Sequence, residues 1–437
     1  MYKINTLKNG LRLITVPMQG TKTTTVLLIV GAGSKYENKN NNGISHFLEH
    51  MLFKGTKKRP DTMAITSELD GIGAEYNAFT GKEYTGYWVK ANHEKIGLAI
   101  DIVSDMFMNS KLDAKEIERE KGVIIEELNM YLDNPMYLIE DVFEECLYGD
   151  TPAGRDTIGT RKNILNFKQK DFISYINSQY APGNAFVLLI GNIKNKKAAE
   201  ALINKYFSSK ISANRGQDFN EKLKVAENQA KPNCRLRYKK TDQAHISLGV
   251  RTYGYAHKDK AILALMSVIL GGSMSSRLFI NLRERQGLAY YVRASSELYT
   301  DTGYLTACAG VPIGKIETAI KTILSEYKKL KSTLVGAEEL KRTKDLLRGR
   351  MAIQFEASDN LANYYARQAV LLHTIKRSGK KEKLEIKTPE QYLEAIDRIG
   401  AKDIKRVAND VFKNKGLNLA VVGPYREKGK FDKLLRF

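Results

Sequence analysis

Gly43-Ile44-Ser45-His46-Phe47-Leu48-Glu49-His50-Met51-Leu52-Phe53-Lys54-Gly55 is the stretch from which both the chemistry and the fold of this chain can be read. His46 and His50 stand four residues apart with Glu49 between them, an H-x-x-E-H arrangement. On a helix each residue advances by ~100°, so His50 lies about 40° around from His46 and one turn along. Both imidazoles can therefore converge on one ion, and Glu49 stays on that side. Ile44, Phe47, Leu48, Met51 and Leu52 complete an apolar stripe, while Ser45 can cap the start and Gly55 the end. A lone histidine on an apolar face is usually a hydrogen-bonded core residue. Two of the six histidines of the chain in this pattern point instead to zinc.

Outward from the motif, Leu11-Arg12-Leu13-Ile14-Thr15-Val16 and Thr25-Val26-Leu27-Leu28-Ile29-Val30 are rich in β-branched residues and read as strands of one sheet. Residues 71–80 and 84–89 read as a hairpin, 185–191 as a buried strand, and 61–69, 93–108, 171–180 and 196–207 as helices. The second half repeats this order. Ile246-Ser247-Leu248-Gly249-Val250 corresponds to Val26-Leu27-Leu28-Ile29-Val30, and the apolar run 261–270, ending Gly271-Gly272-Ser273, corresponds to the motif helix. Thr302-Gly303-Tyr304-Leu305 echoes Thr85-Gly86-Tyr87-Trp88, and the helical run from Ala337 echoes the one from Ala114. In this register Leu263, Met266 and Ser267 replace His46, Glu49 and His50. None of the three is a usual zinc ligand, so one copy carries the chemistry and the other only the scaffold.

The length of 437 residues exceeds what one core normally organises. The expected fold is α+β, with two homologous domains at 1–210 and 231–437, each a mostly antiparallel sheet flanked by helices, joined by a polar linker at 211–230. Hydrophobic content of 43% and charged content of 27% are ordinary for a globular protein. The net charge of +21 comes from lysines scattered among Asn and Glu, without a dense basic arm, so a specific nucleic-acid partner is not expected. Three widely spaced cysteines argue against a disulfide framework, and no run of ~18 apolar residues suggests membrane insertion. A cytoplasmic location is the expectation.

Zinc needs a third protein ligand, and a catalytic site keeps its fourth position for water. The run from Asp113 to Leu128 offers Glu116, Glu120 and Glu127 on one helical face, with Glu126 pointing about 120° away from Glu120. Periodicity alone does not separate Glu120 from Glu127. Their separation of about 10.5 Å along the axis means only one of them can serve a single ion.

His46-Phe47-Leu48-Glu49-His50, a downstream glutamate and the paired halves together resemble the pitrilysin-type, or insulinase-superfamily, zinc peptidases. Within them the chain resembles the mitochondrial processing peptidase β-subunit and its short bacterial relatives. Asn77-Ala78-Phe79-Thr80, Tyr180-Ala181-Pro182-Gly183-Asn184 and the segment from Ser276 through Tyr290 extend the likeness over most of the chain. The resemblance implies one Zn2+ per chain on His46, His50 and Glu127, Glu49 as general base, and Glu120 as a supporting acid. It also implies that Asn77, Ala78 and Phe79 form an edge strand for an extended peptide, and that Arg283 and Tyr290 hold the substrate carbonyl. The implied function is endopeptidase action on unfolded peptides in a homodimer, the two domains facing each other around a chamber. A catalytically idle scaffold or peptide-binding subunit of the same fold is the alternative. The segment Gly271 to Ser276 is too short to match the long glycine-rich loop of the processing peptidase's α-subunit, which argues against presequence-specific processing.

Overall fold

Thr23-Thr24-Thr25-Val26-Leu27-Leu28-Ile29-Val30 is almost wholly β-branched or aliphatic, and such side chains pack well on a pleated surface. In the computed structural model of the chain, which describes residues 2–207, 221–378 and 385–437, this run lies inside a six-stranded sheet. The strands are β1 (Lys3–Thr6), β2 (Arg12–Pro17), β3 (Thr23–Val30), β4 (Glu75–Thr80), β5 (Thr85–Asn92) and β6 (Ala185–Gly191), in the order β1-β2-β6-β3-β5-β4. Only β2 and β6 run parallel. A second sheet holds β7 (Asn233–Tyr238), β8 (Gln243–Thr252), β9 (Val292–Leu298), β10 (Gly303–Pro312) and β11 (Leu417–Gly423), ordered β7-β11-β8-β10-β9. Here only β7 and β11 run parallel. With β1 set aside, the two sheets share strand order and the sense of every pairing, so the duplication read in the sequence is a duplication of topology.

The ladders correct one detail of that reading. Val30 pairs with Thr85, and its counterpart Val250 pairs with Leu305. Thr85 therefore answers to Leu305, not to Thr302, and the Thr-Gly-Tyr likeness lies three residues out of register. The likeness is one of composition near the strand starts, and because β10 has ten residues against eight in β5 those starts do not coincide in register.

The helices that matter to the site are α1 (Ile44–Leu52), α2 (Ala114–Asp133), α3 (Pro135–Tyr148), α4 (Lys260–Gly271), α5 (Ala337–Gln354) and α6 (Ser358–Arg377). Packing divides the chain into two units that are discontinuous in sequence. One comprises Met1–Leu128, Asp156–Leu223 and Ala352–Thr388, the other Asn129–Arg155, Lys224–Met351 and Pro389–Phe437. The halves thus exchange a helix: α6 lies on β3 and β6, and α3 lies on β11, β8 and β7. Thr25 Oγ1 and Ser358 Oγ, 2.8 Å apart, bind α6 to the first sheet. In the second, Gly249 leaves room for Phe143, whose ring would lie 2.9 Å from an added Cβ. Of the linker expected at 211–230, residues 211–220 fall outside the described residues, and 221–230 form no helix or strand.

Strand β6 is buried along its whole length, and each large aliphatic side chain buried there stabilises the fold by about 1.5–3 kcal/mol. Strand β4 sits at the edge, pairs only with β5 and packs beside α1. No helix among the described residues is long and apolar enough to cross a membrane.

Candidate metal centre

The backbone enters α1 through Gly43 at φ 101, with no side-chain cap on that residue. A Cβ there would lie 2.3 Å from the Ile158 carbonyl oxygen, so position and conformation both call for glycine. The cap comes from buried Glu37. Its Oε2 accepts the Gly43 N–H at 2.8 Å and Asn42 Nδ2 at 3.0 Å, and its Oε1 accepts the Ser45 N–H at 2.8 Å. A carboxylate at this end also suits the helix dipole. Burial raises the Glu37 pKa, and these hydrogen bonds oppose the rise. Ser45, expected as the cap, instead sets its hydroxyl 2.7 Å from that of Tyr175.

Two helices then bring the site together. His46 Nε2 lies 3.5 Å and His50 Nε2 3.4 Å from Glu127 Oε2. Among the described residues, His46, His50 and Glu127 form the group of metal-ligating side chains whose donor atoms all lie within 4.8 Å of one another. Donors ~2.0–2.1 Å from a tetrahedral zinc stand about 3.3 Å apart along the tetrahedron's edges, so the two nitrogen-to-oxygen spacings fit an ion of that size. Glu120, one face-repeat away on α2, makes different contacts. Its Oε1 lies 2.9 Å from His50 Nδ1 and its Oε2 2.5 Å from Lys54 Nζ. With Nδ1 donating to this carboxylate, Nε2 of His50 is the atom directed at Glu127, where a cation can replace its proton. Geometry thus gives the two acids different surroundings, Glu127 facing both Nε2 atoms and Glu120 facing Nδ1 of His50 and Lys54, while Glu126 is exposed. His46 Nδ1 is buried without a hydrogen-bond partner among the described residues.

The charges are strongly coupled. Burial would lower the His50 pKa, but hydrogen bonds to Glu120 and Glu127 overcome it and raise the value to about 9. For Glu127 burial acts upward, yet His46 and His50 hold the carboxyl down at about 2. Glu120 is likewise lowered against its burial, by His50 and Lys54. Glu49 is raised, chiefly by burial, with Thr80 and the two histidines opposing. Two imidazoles and two carboxylates drawn together in this way form a site that a cation would complete, taking the place of a bound proton.

The other expected residues fall in two places. Asn77, Ala78 and Phe79 lie on edge strand β4, where Asn77 Oδ1 accepts the Ala78 N–H at 2.8 Å. Phe79 spreads over Gly86, whose added Cβ would meet its ring at 2.3 Å. Arg283 and Tyr290 belong to the other unit and lie together. Arg283, on a π-helical turn Phe279–Arg285, donates Nη1 to the Tyr290 carbonyl at 2.8 Å and lies 5.3 Å from its ring centre. Tyr290 is 78% exposed, so its hydroxyl is open to a partner. Glu37, Lys54 and Thr80 were missed by the sequence reading. Lys54 had a signal, one turn beyond His50 on the same face, whereas the roles of Glu37 and Thr80 depend on tertiary contacts.

In the second unit the corresponding positions hold no metal donors. Leu263 and Met266 are fully buried and Ser267 nearly so, while on α5 Thr343 Oγ1 donates to its own helix at the Glu339 carbonyl and Arg350 is exposed.

Comparison with known proteins gives the family. Residues 12–161 match the model of insulinase (peptidase family M16), and residues 166–347 match that of the peptidase M16 inactive domain. An uncharacterised zinc protease of Bacillus subtilis is 30% identical over 432 residues, 97% of this chain and 98% of that protein. One from Rickettsia felis is 32% identical over 433 residues, 98% of this chain and 99% of the other. A crystal structure of a Helicobacter pylori protease, 24% identical, superposes with a TM-score of 0.89 over 97% of this chain and 99% of that one, and so shares the fold. The chain belongs to the insulinase family of peptidases, family M16.

Proposed function

We propose that this protein is a zinc-dependent endopeptidase that hydrolyses unfolded peptides bound as an added strand, with His46, His50 and Glu127 holding the ion through an inverted H-x-x-E-H motif. The observation that carries this reading is the approach of both imidazole Nε2 atoms to one oxygen of Glu127, at 3.5 and 3.4 Å. Zinc, when bound, supplies Lewis acidity that lets water lose a proton near neutral pH. Glu49 accepts that proton on its carboxylate and returns it to the leaving amine. Its raised pKa, from burial beside the site, suits a group that must both take and give a proton. Glu120 holds His50 in the tautomer that leaves Nε2 unprotonated, and Lys54 holds Glu120. The open edge of β4 at Asn77, Ala78 and Phe79 offers main-chain hydrogen bonds to an extended peptide, and this mode of capture tolerates many sequences. Arg283 and Tyr290 act as donors to the substrate carbonyl.

The active form in this reading is a cytoplasmic homodimer. Among the described residues all three cysteines are buried free thiols, as a reducing compartment allows. Sedimentation that finds full activity in a monomer would remove the dimer from the proposal. The central experiment measures zinc content and cleavage of a quenched peptide for the parent and for Glu49→Gln. The expected result is one zinc in each and a turnover loss of about 10²–10⁴-fold in the variant. A variant as fast as the parent excludes Glu49 as the base. Zinc bound without cleavage by the parent would leave the idle scaffold as the better reading.

A further inference from the structure

Thr80 ends β4, and its hydroxyl donates to Glu49 Oε2 at 2.5 Å. The two carboxylate oxygens of Glu49 are therefore unequal: Oε2 is held by the strand, and Oε1 is outside that bond. The strand is itself clamped. Gly33 passes under the hairpin turn so closely that a Cβ would lie 2.2 Å from the Gly81 carbonyl oxygen. The Ser34 and Lys35 N–H groups donate to the Gly81 and Lys82 carbonyls at 3.2 and 2.8 Å. Lys35 Nζ, fully buried, pairs with Glu83 at 2.9 Å. Four residues after Gly33 comes Glu37, which caps α1. One short segment thus grips the hairpin that carries Thr80 with one end and the helix that carries Glu49 with the other.

From this arrangement we infer that Thr80 is a positioning residue, which fixes the rotamer of Glu49 and sets the spacing between the general base and the strand that receives the peptide. The inference rests on the reading of Glu49 as base. A glutamate has three side-chain rotors, and a base must keep one oxygen ~2.6–3.2 Å from the proton it takes. A hydrogen bond from a hydroxyl to a carboxylate is short and strong enough to select one rotamer. Because the donor belongs to the peptide-binding strand, the same contact registers the scissile bond against the base.

The test uses full-length Thr80→Val and Thr80→Ser, alone and combined with Glu49→Gln, with zinc content and thermal midpoint recorded for each. Thr80→Val is expected to lower kcat ~10–100-fold with KM within about threefold, since a misplacement near 1 Å costs ~10²-fold. Zinc stoichiometry stays at the parent value, and Thr80→Ser returns kcat to within about threefold of the parent because it keeps the donor. In the Glu49→Gln background, Thr80→Val leaves the residual rate unchanged. It also leaves unchanged the affinity for a fluorescent extended peptide, read by anisotropy, because the two groups act as one. A Thr80→Val enzyme with kcat within about twofold of the parent overturns the inference, as does a full further loss in the Glu49→Gln background. If Thr80→Val lacks a thermal transition, Thr80→Ala takes its place and is read the same way. The base assignment fails separately, and only if Glu49→Gln alone keeps the parent rate.

Discussion

The first and second units follow one chain path and hold opposite contents at the equivalent place. In the first, α1 and α2 present His46, His50 and Glu127, and β4 reaches Glu49 through Thr80. In the second, α4 presses onto edge strand β9 so closely that a Cβ on Gly271 would lie 2.4 Å from the Ala294 nitrogen. The ladders make Ser296 the counterpart of Thr80, since Thr80 pairs with Thr85 and Ser296 with Leu305. The residue facing from the helix has changed from Glu49 to Met266, which is fully buried in the core. The sheet order survives because it needs only buried apolar strands and turns, whereas the site needs particular atoms at particular spacings. The chemistry can therefore be erased by a few side chains without loss of the fold.

The comparison is tested most severely by writing the second unit's residues into the first. Glu127→Arg, which installs the counterpart Arg350, puts a cation where both Nε2 atoms converge. Stoichiometric zinc and measurable peptide cleavage should both be lost, and the thermal midpoint of the metal-free protein should fall as well, because Glu127 is paired with both histidines. Atomic absorption and calorimetry give the two readings. A variant that keeps one tightly bound zinc means that Glu127 is not a ligand.

The helix exchange gives the next largest effect. A fragment ending at residue 223 keeps every strand of the first sheet but lacks α6, whose Leu361, Tyr365, Val370 and Leu371 are buried. Several side chains at about 1.5–3 kcal/mol each amount to most of the ~5–15 kcal/mol margin of a folded domain. The fragment should show no cooperative unfolding by circular dichroism, and a peptide covering 352–388 supplied in trans should restore it. Cooperative folding of the fragment alone would show that the sheet needs no covering helix.

What the sequence revealed follows from the range of each interaction. The meeting of His46 and His50 reduces to a spacing along one helix, and the repeat reduces to strand patterning, so both were legible. The choice between Glu120 and Glu127 was not, because residues seven apart share a face and the deciding partner is on another helix. The contact of Thr80 with Glu49 spans 31 positions, and no local pattern announces it. The helices α3 and α6 were not read from the sequence, and even an apolar stripe on a helix does not say on which sheet it packs. Thr302-Gly303-Tyr304 misled because composition at a strand's start says nothing of how the longer strand pairs.

A smaller effect separates the two acids on α2. Glu120→Gln keeps the ligand set but removes the charge facing His50 Nδ1 and Lys54. Zinc affinity should fall about 10–100-fold, the usual cost of losing a carboxylate behind a ligating histidine. Competition with a chelator measures it. Unchanged affinity would reduce Glu120 to a structural role.

The mildest test varies only pH. In the metal-free protein His50 titrates at about 9 against an ordinary 6.5, so its contribution to stability is complete below about 6.5 and disappears as pH rises through 9. Glu127, held at about 2, contributes above about 4.5 and loses that contribution as pH falls through 2. Below about pH 9 His50 in the metal-free protein carries a proton, which a cation must expel because ligating histidine is neutral. Zinc binding at pH 7–8 should therefore release about one proton, visible as a dependence of calorimetric heat on the ionisation enthalpy of the buffer. Apparent affinity should rise ~tenfold per pH unit towards 9 and then level. The second unit, with Ser267 in place of His50, has no such proton to give. Zinc bound without proton release at pH 7 would thus move the ion away from His50 and break the contrast between the units at its source.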